Sequence, residues 1–400
     1  MVILRCGNVF DGETFHSGVD VSVDGSVITR VDASEPPGGT SVDASAEPES
    51  DVRVIDFGPD ALLLPGWVDS HQHLTWNCSM DPVSWLTTAT DEALLDTART
   101  NGLRALAAGV TTVRDLGDRG YVTCALRDET AASPAAGPSL LVAGPPVTSV
   151  GGHCWFLGGE AEGVAGLREA VRERAERGVD VVKVMATGGN VTPGSAPFQS
   201  QFTVEELRAL VDEAHAAGLP VAAHGHGVEG IADAVAAGVD TVEHFTFMTA
   251  EGVAQRPDVL AAMVASGTTP SLTLGMVPGG EGGPPPALLS RMEALVVHLR
   301  TLFGLGVRIA LGTDAGISPA KPHDSMPYTV AFAAEHSSVE VALRAATSGS
   351  AEAIGLGSRV GRIRAGYDAD ILVLARDPRR DLAALHEVQA VYRRGVAVRG

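Results

Sequence analysis

The sequence predicts an α/β fold: a (β/α)8 barrel carrying a small β domain built from both ends of the chain. Three observations predict it. Between residues 61 and 357, eight apolar runs of strand length alternate with helix-like stretches, the pattern of βα units around a parallel sheet. Both termini instead carry short β-type runs punctuated by Gly turns. The length of 400 residues also exceeds what one core usually fills, so an appendage is expected.

The expected domains are 1–60, the N-terminal part of the small β domain; 61–357, the barrel; and 358–400, the C-terminal part of the same β domain. The run "GVDVSVDGSVITRVDA" reads as two strands around an Asp24-Gly25 turn. Residues 34–51, rich in Pro, Gly, Ser and acids, read as an exposed loop without chemistry. The eight barrel runs are "LLLPGWVDSHQH", "VTTVRDLG", "SLLVAGPPV", "DVVKVMATGG", "PVAAHGHG", "TVEHFTF", "TTPSLTL" and "VRIALGTDAG". Eight repeats favour a closed barrel over an open sheet. One helix is marked at both ends, with Thr203 as N-cap, Glu206 as capping-box partner, and Gly218 and Pro220 as terminators. After residue 357, "DADILVLARDP" and "VQAVYRRGVAVRG" return to short strands.

A formal net charge of −20 without a Lys/Arg run gives phosphate backbones little to bind, so nucleic acid is not an expected partner. The start "MVILRCGNVF" has no basic segment followed by a long apolar one, and no stretch reads as a membrane span. The expected location is the cytoplasm, with no membrane partner. Four scattered cysteines without a C-x-x-C pair fit reduced thiols. Cys154 alone adjoins a histidine in a glycine-rich loop, so a thiol role there is kept in view. Oligomeric state, including a homo-oligomer, is left open.

The chemistry lies at strand ends. His71 and His73, two apart on a strand, share a face and can reach one ion. Taken alone, such a pair is weak evidence. Lys183 stands in an apolar run, where an ammonium without a partner is costly. His224, His244 and Asp314 end the fifth, sixth and eighth runs. Catalytic residues of barrel enzymes collect at these C-terminal strand ends, so the set converges on one mouth.

With these residues in place, the sequence resembles the amidohydrolase superfamily, in its imidazolonepropionase-like and prolidase-like branch. "LLLPGWVDSHQHL", "VKVMATGG", "VAAHGHG", "VEHFTF" and "LGTDAG" carry the resemblance, in order, over nearly the whole chain. It implies a small β-sandwich made by both termini beside the barrel. It implies two divalent metal ions, zinc the expected element, held by His71, His73, Lys183, His224, His244 and Asp314, with Lys183 carbamylated as the bridge between them. It further implies hydrolysis of a small amide such as a dipeptide or N-acyl amino acid. Asp314 then serves as the catalytic residue, taking a proton from a hydroxide held between the metals and passing it to the leaving amine. An unmodified Lys183 paired to an acid is the alternative, and would leave one metal.

Three further histidines are expected at the small-molecule substrate: His153 in the loop "SVGGHCWF", His226 two residues beyond His224, and His323 after the eighth strand. Arg114 and Asp115 are read equally as an ion pair at the barrel rim. A lactonase or a cyclic-imide or imidazolone hydrolase would use the same metal site. A deaminase fits less well, because Glu229 falls five residues past His224, and a ligand-free scaffold would lack the residues present here.

Overall fold

A computed structural model of the chain describes residues 1–33, 52–279 and 281–400; the loop expected over 34–51 lies outside the described residues. The N-terminal strands are β1 (Val2–Phe10), β2 (Phe15–Asp24), β3 (Val27–Ala33), β4 (Arg53–Asp56) and β5 (Leu62–Pro65). Parallel strands follow: β6 (Trp67–Gln72), β7 (Val110–Asp115), β8 (Ser139–Val142), β9 (Val182–Met185), β10 (Val221–Gly227), β11 (Thr241–Met248), β12 (Thr269–Thr273) and β13 (Ala310–Gly312). The chain closes with β14 (Ile371–Leu374), β15 (Val388–Arg393) and β16 (Val396–Arg399).

Both termini enter one sheet, in the order β16-β15-β14-β5-β1-β2-β3, with β4 also paired to β1. It folds over its own apolar cluster, including Leu4, Val21, Ile28, Leu63 and Ile371. Gly25 turns the β2–β3 hairpin at φ +56°. The run read as one strand, "LLLPGWVDSHQH", divides. Leu62–Pro65 pairs with β1 and β14 in the terminal sheet, and Trp67–Gln72 pairs with β7. An unbroken apolar run cannot reveal such a break, because both halves are buried.

The parallel strands form a five-stranded sheet, β13-β12-β11-β10-β9, and a three-stranded one, β6-β7-β8. Backbone bonds tie them at both ends. Asp314 N–H donates to His71 O at 2.8 Å and His73 N–H to Ala315 O at 3.0 Å; at the other seam Val147 N–H donates to Lys183 O at 2.8 Å. Gly312 is required here, since a Cβ would lie 2.6 Å from the His71 Cβ. Helices follow the strands, among them Val204–Ala216, whose Thr203–Glu206 capping box is formed as expected. Among the described residues no helix is long and apolar enough to cross a membrane.

Candidate metal centre

The C-terminal ends of β6, β9, β10, β11 and the segment after β13 bring two clusters of donor atoms together. In the first, His71, His73 and Asp314 place one ligand atom each within 4.8 Å of one another. The Nε2 atoms of His71 and His73 are 3.3 Å apart, and Asp314 Oδ1 lies 3.5 Å from the first and 3.3 Å from the second. Their orientation is set from behind. His71 Nδ1 is 3.0 Å from Glu243 Oε2 and His73 Nδ1 is 3.3 Å from Gly117 O. Both partners accept, so each Nδ1 carries the proton and each Nε2 turns a lone pair inward.

Glu243 is itself held by Arg114 at 2.8 Å and by the Thr241 hydroxyl at 2.6 Å. Asp69 accepts from the Thr313 backbone and hydroxyl and from Gln72, tying β6 to the segment that carries Asp314.

In the second cluster, His224, His226 and His244 meet by the same criterion. His224 Nε2 donates to Gly188 O at 3.0 Å, which leaves its Nδ1 as a lone pair 3.0 Å from His244 Nε2. His244 Nδ1 lies 2.6 Å from the Thr273 hydroxyl. Thr246 donates to His226 O, so its hydroxyl oxygen accepts from His226 Nδ1 at 3.0 Å. The rings of His226 and His244 stack with centroids 4.4 Å apart.

Lys183 is 1% exposed, and among the described residues its Nζ has no hydrogen-bond partner. Burial pulls its pKa down to about 8. Burial, with Lys183 adding its charge, also lowers His71 to about 4; burial and neighbouring histidines hold His224 and His244 well below the ordinary range. Burial would raise Asp314, but Lys321 and the two histidines outweigh it and keep the carboxylate ionised. His244 and Asp314 adopt left-handed φ of 68° and 55°, which non-glycine residues hold only under strain, often at functional sites. Imidazole nitrogens facing one another 3.0–3.3 Å apart, beside a buried amine with no partner among the described residues, suit cations between them. The residues fit a metal centre.

All six expected ligands line one cavity of ≈ 800 Å³. His153 and His226 line it too; His153 Nδ1 is 3.1 Å from the Thr192 hydroxyl, and burial lowers its pKa to about 3. The structure does not bring His323 there. It is fully buried, its ring nitrogens 3.1 Å from the Gln72 side chain and 3.3 Å from Trp76 O, so it braces the end of β6 and the segment that follows. Cys154 is on the wall, but burial pushes its thiol up to about 12, which leaves little thiolate. Arg114 and Asp115 are not a rim pair: Arg114 is buried on Glu243, and Asp115 accepts from the Leu74 and Gly117 backbone. Sequence reasoning missed Glu243 and Lys321. An acid inside the apolar run "TVEHFTF" was the available signal for the first.

The amidohydrolase family model matches residues 62–398. Among curated proteins, the ochratoxinase of Aspergillus niger is 30% identical over 365 residues, covering 82% of this chain and 73% of that one. The imidazolonepropionase of Micrococcus luteus is 29% identical over 364 residues, covering 83% of each. Among solved structures, a Xaa-Pro dipeptidase with methionine bound in its active site superposes with a TM-score of 0.84 at 26% identity, covering all of both chains.

Proposed function

This chain belongs to the amidohydrolase family, in its imidazolonepropionase- and prolidase-like branch, and from that premise we propose that it is a two-metal hydrolase of small amides, such as a dipeptide or an N-acyl amino acid. That it is a hydrolase acting on C–N bonds follows from the family and its relatives; the metal count, the residue roles and the substrate are our reading. The eight parallel strands are taken as one closed (β/α)8 barrel, supported by the backbone bonds at both seams, and the terminal sheet as its β-sandwich domain.

One observation carries the reading: the buried Lys183 amine, without a partner among the described residues, between two clusters of donor atoms. Its lowered pKa keeps an appreciable neutral fraction, to which carbon dioxide can add with loss of a proton, leaving a carbamate anion. Lys183 so modified would bridge His71, His73 and Asp314 on one side and His224 and His244 on the other. When bound, two divalent cations, zinc the first choice, supply Lewis acidity toward a carbonyl and ready ionisation of water near neutral pH.

The chain's own residues do the rest. Asp314, held ionised, accepts a proton and returns it to the leaving nitrogen. His153 and His226, both neutral and on the cavity wall, orient the amide through hydrogen bonds. Apolar walls exclude bulk water. The substrate is a small molecule, with no nucleic acid or membrane in the reaction.

A second reading keeps the centre but opens a ring, as in a lactone, cyclic imide or imidazolone. It is favoured by the cavity lining, where among the described residues no arginine waits for a free carboxylate. Zinc-loaded protein prepared with bicarbonate, screened by mass spectrometry against dipeptides, N-acyl amino acids, lactones and cyclic imides, separates the two. Amide cleavage lost in Lys183→Ala supports the first reading; ring opening alone replaces it with the second.

A further inference from the structure

The cavity does not end at the metal centre. On β11 and β12 the side chains of His244, Ser271 and Thr273 make contacts on the inner side, with Thr273 bonded to His244 and Ser271 to Ser70. Phe245 and Leu272 alternate to the opposite face, yet both also line the cavity. Across from them, helix Met292–Gly304 presents Leu295, Val296, Leu299 and Leu302 to the same space. The spacing of these four residues makes one helical face. The void therefore passes the end of β12 into the layer between strands and helix. Gly275, at φ +72°, shapes the passage: a Cβ there would sit 2.5 Å from the Thr329 nitrogen.

Among the described residues, His298 is the polar side chain that helix Met292–Gly304 adds to this otherwise apolar face. That ring is 2% exposed; its Nε2 donates to Phe245 O at 2.9 Å, while its Nδ1 has no partner among the described residues. The whole cavity, ≈ 800 Å³, lies high in the range of about 300–1,000 Å³ that takes drug-sized ligands. A Gly- or Ala-sized amide would leave the lobe empty.

We propose that the lobe between β12 and helix Met292–Gly304 is a specificity subsite for a bulky apolar group, an aromatic ring or branched chain, of the amide substrate. This inference rests on the hydrolase reading for what happens at the scissile bond, but the occupancy of the lobe can be read without turnover. The amide carbonyl sits at the metal centre while the large group passes Gly275 and packs on Phe245, Leu272 and Leu299. The inference selects, among small amides, those with a large hydrophobic acyl or side-chain group.

Calorimetric titration of the zinc-loaded protein with two probes tests it: 2-naphthamide for the lobe, and acetohydroxamate, too short to reach it, for the centre. Leu299→Trp fills the lobe from its buried side, and Val296→Trp from a half-buried position that tolerates bulk if the first variant does not fold. The expected result is that either substitution weakens 2-naphthamide by about tenfold or more, with acetohydroxamate as the unchanged reference. Absence of 2-naphthamide binding to the native protein, or equal binding to native protein and filled variants, overturns the subsite. If acetohydroxamate does not bind while 2-naphthamide still responds to the filled lobe, the metal centre fails and the subsite stands.

Discussion

The two donor clusters are built from similar rings but backed by different chemistry. His71 and His73 work with an ionised carboxylate, Asp314, and His71 is braced by a second one, Glu243, which is anchored in turn by Arg114. His224, His226 and His244 are neutral and are oriented by a carbonyl and two threonine hydroxyls. A cation on the first side meets a fixed negative charge from the chain. On the second side it meets imidazoles only, and in the proposed centre the charge there comes from a carboxylated Lys183. The difference teaches that the first half carries its own negative charge as folded, whereas the second has none from its histidines and, on the proposed reading, takes it from a modified Lys183.

Breaking the first half should cost most. Asp314→Ala removes both the anion and the proton carrier, and kcat should fall by about 10³-fold, inside the range for general acid–base groups, as measured on whichever amide the screen identifies. Lys183→Met strikes the second half: kcat should drop about 100-fold with weakened metal retention.

The same substitution has a signature in metal-free protein. With its pKa lowered from 10.5 to about 8, Lys183 binds its proton more weakly folded than unfolded. That opposes folding by about 3 kcal/mol below pH 8, and the penalty is relieved as pH rises toward 10.5. The buried cysteines, whose thiols are pushed up from 9.0, pull stability down over the same range, so the signature is the difference: in thermal unfolding of chelator-treated protein, the native chain should gain stability relative to Lys183→Met as pH rises from 8 to 10.5.

Glu243→Gln sharpens the comparison. It leaves every direct donor in place but takes the charge from behind His71, and metal affinity at the first half should weaken about 10- to 100-fold, read by competition with a chelating dye. Thr273→Val, the matching change behind His244, removes one neutral hydrogen bond of about 1 kcal/mol, so the second half should weaken only about fivefold. Equal effects of these two variants would erase the asymmetry.

Much of this was legible in the sequence, for a physical reason. His71, His73, Lys183, His224, His244 and Asp314 interrupt apolar strand-like runs, and a polar group in such a place demands an explanation from chemistry. Glu243 interrupts a run as well, but it adjoins a ligand, and its partner Arg114 lies 129 residues away. A pairing of that range leaves no trace in local pattern. His323 follows the eighth strand as a substrate residue would, yet the fold buries it against Gln72 and Trp76 O. The division at Gly66 was hidden because Leu62–Pro65 and Trp67–Gln72 are both wholly buried, and only pairing with β1 and β14 separates them.

The most direct test of the central claim is the metal content per chain of protein prepared with zinc and bicarbonate, native against Lys183→Met, by elemental mass spectrometry with the mass of the intact native protein recorded alongside. The account predicts two zinc ions and a carboxylated lysine in the native chain, and one zinc in the variant, retained at His71, His73 and Asp314. One zinc in both proteins, or two in both, would contradict it.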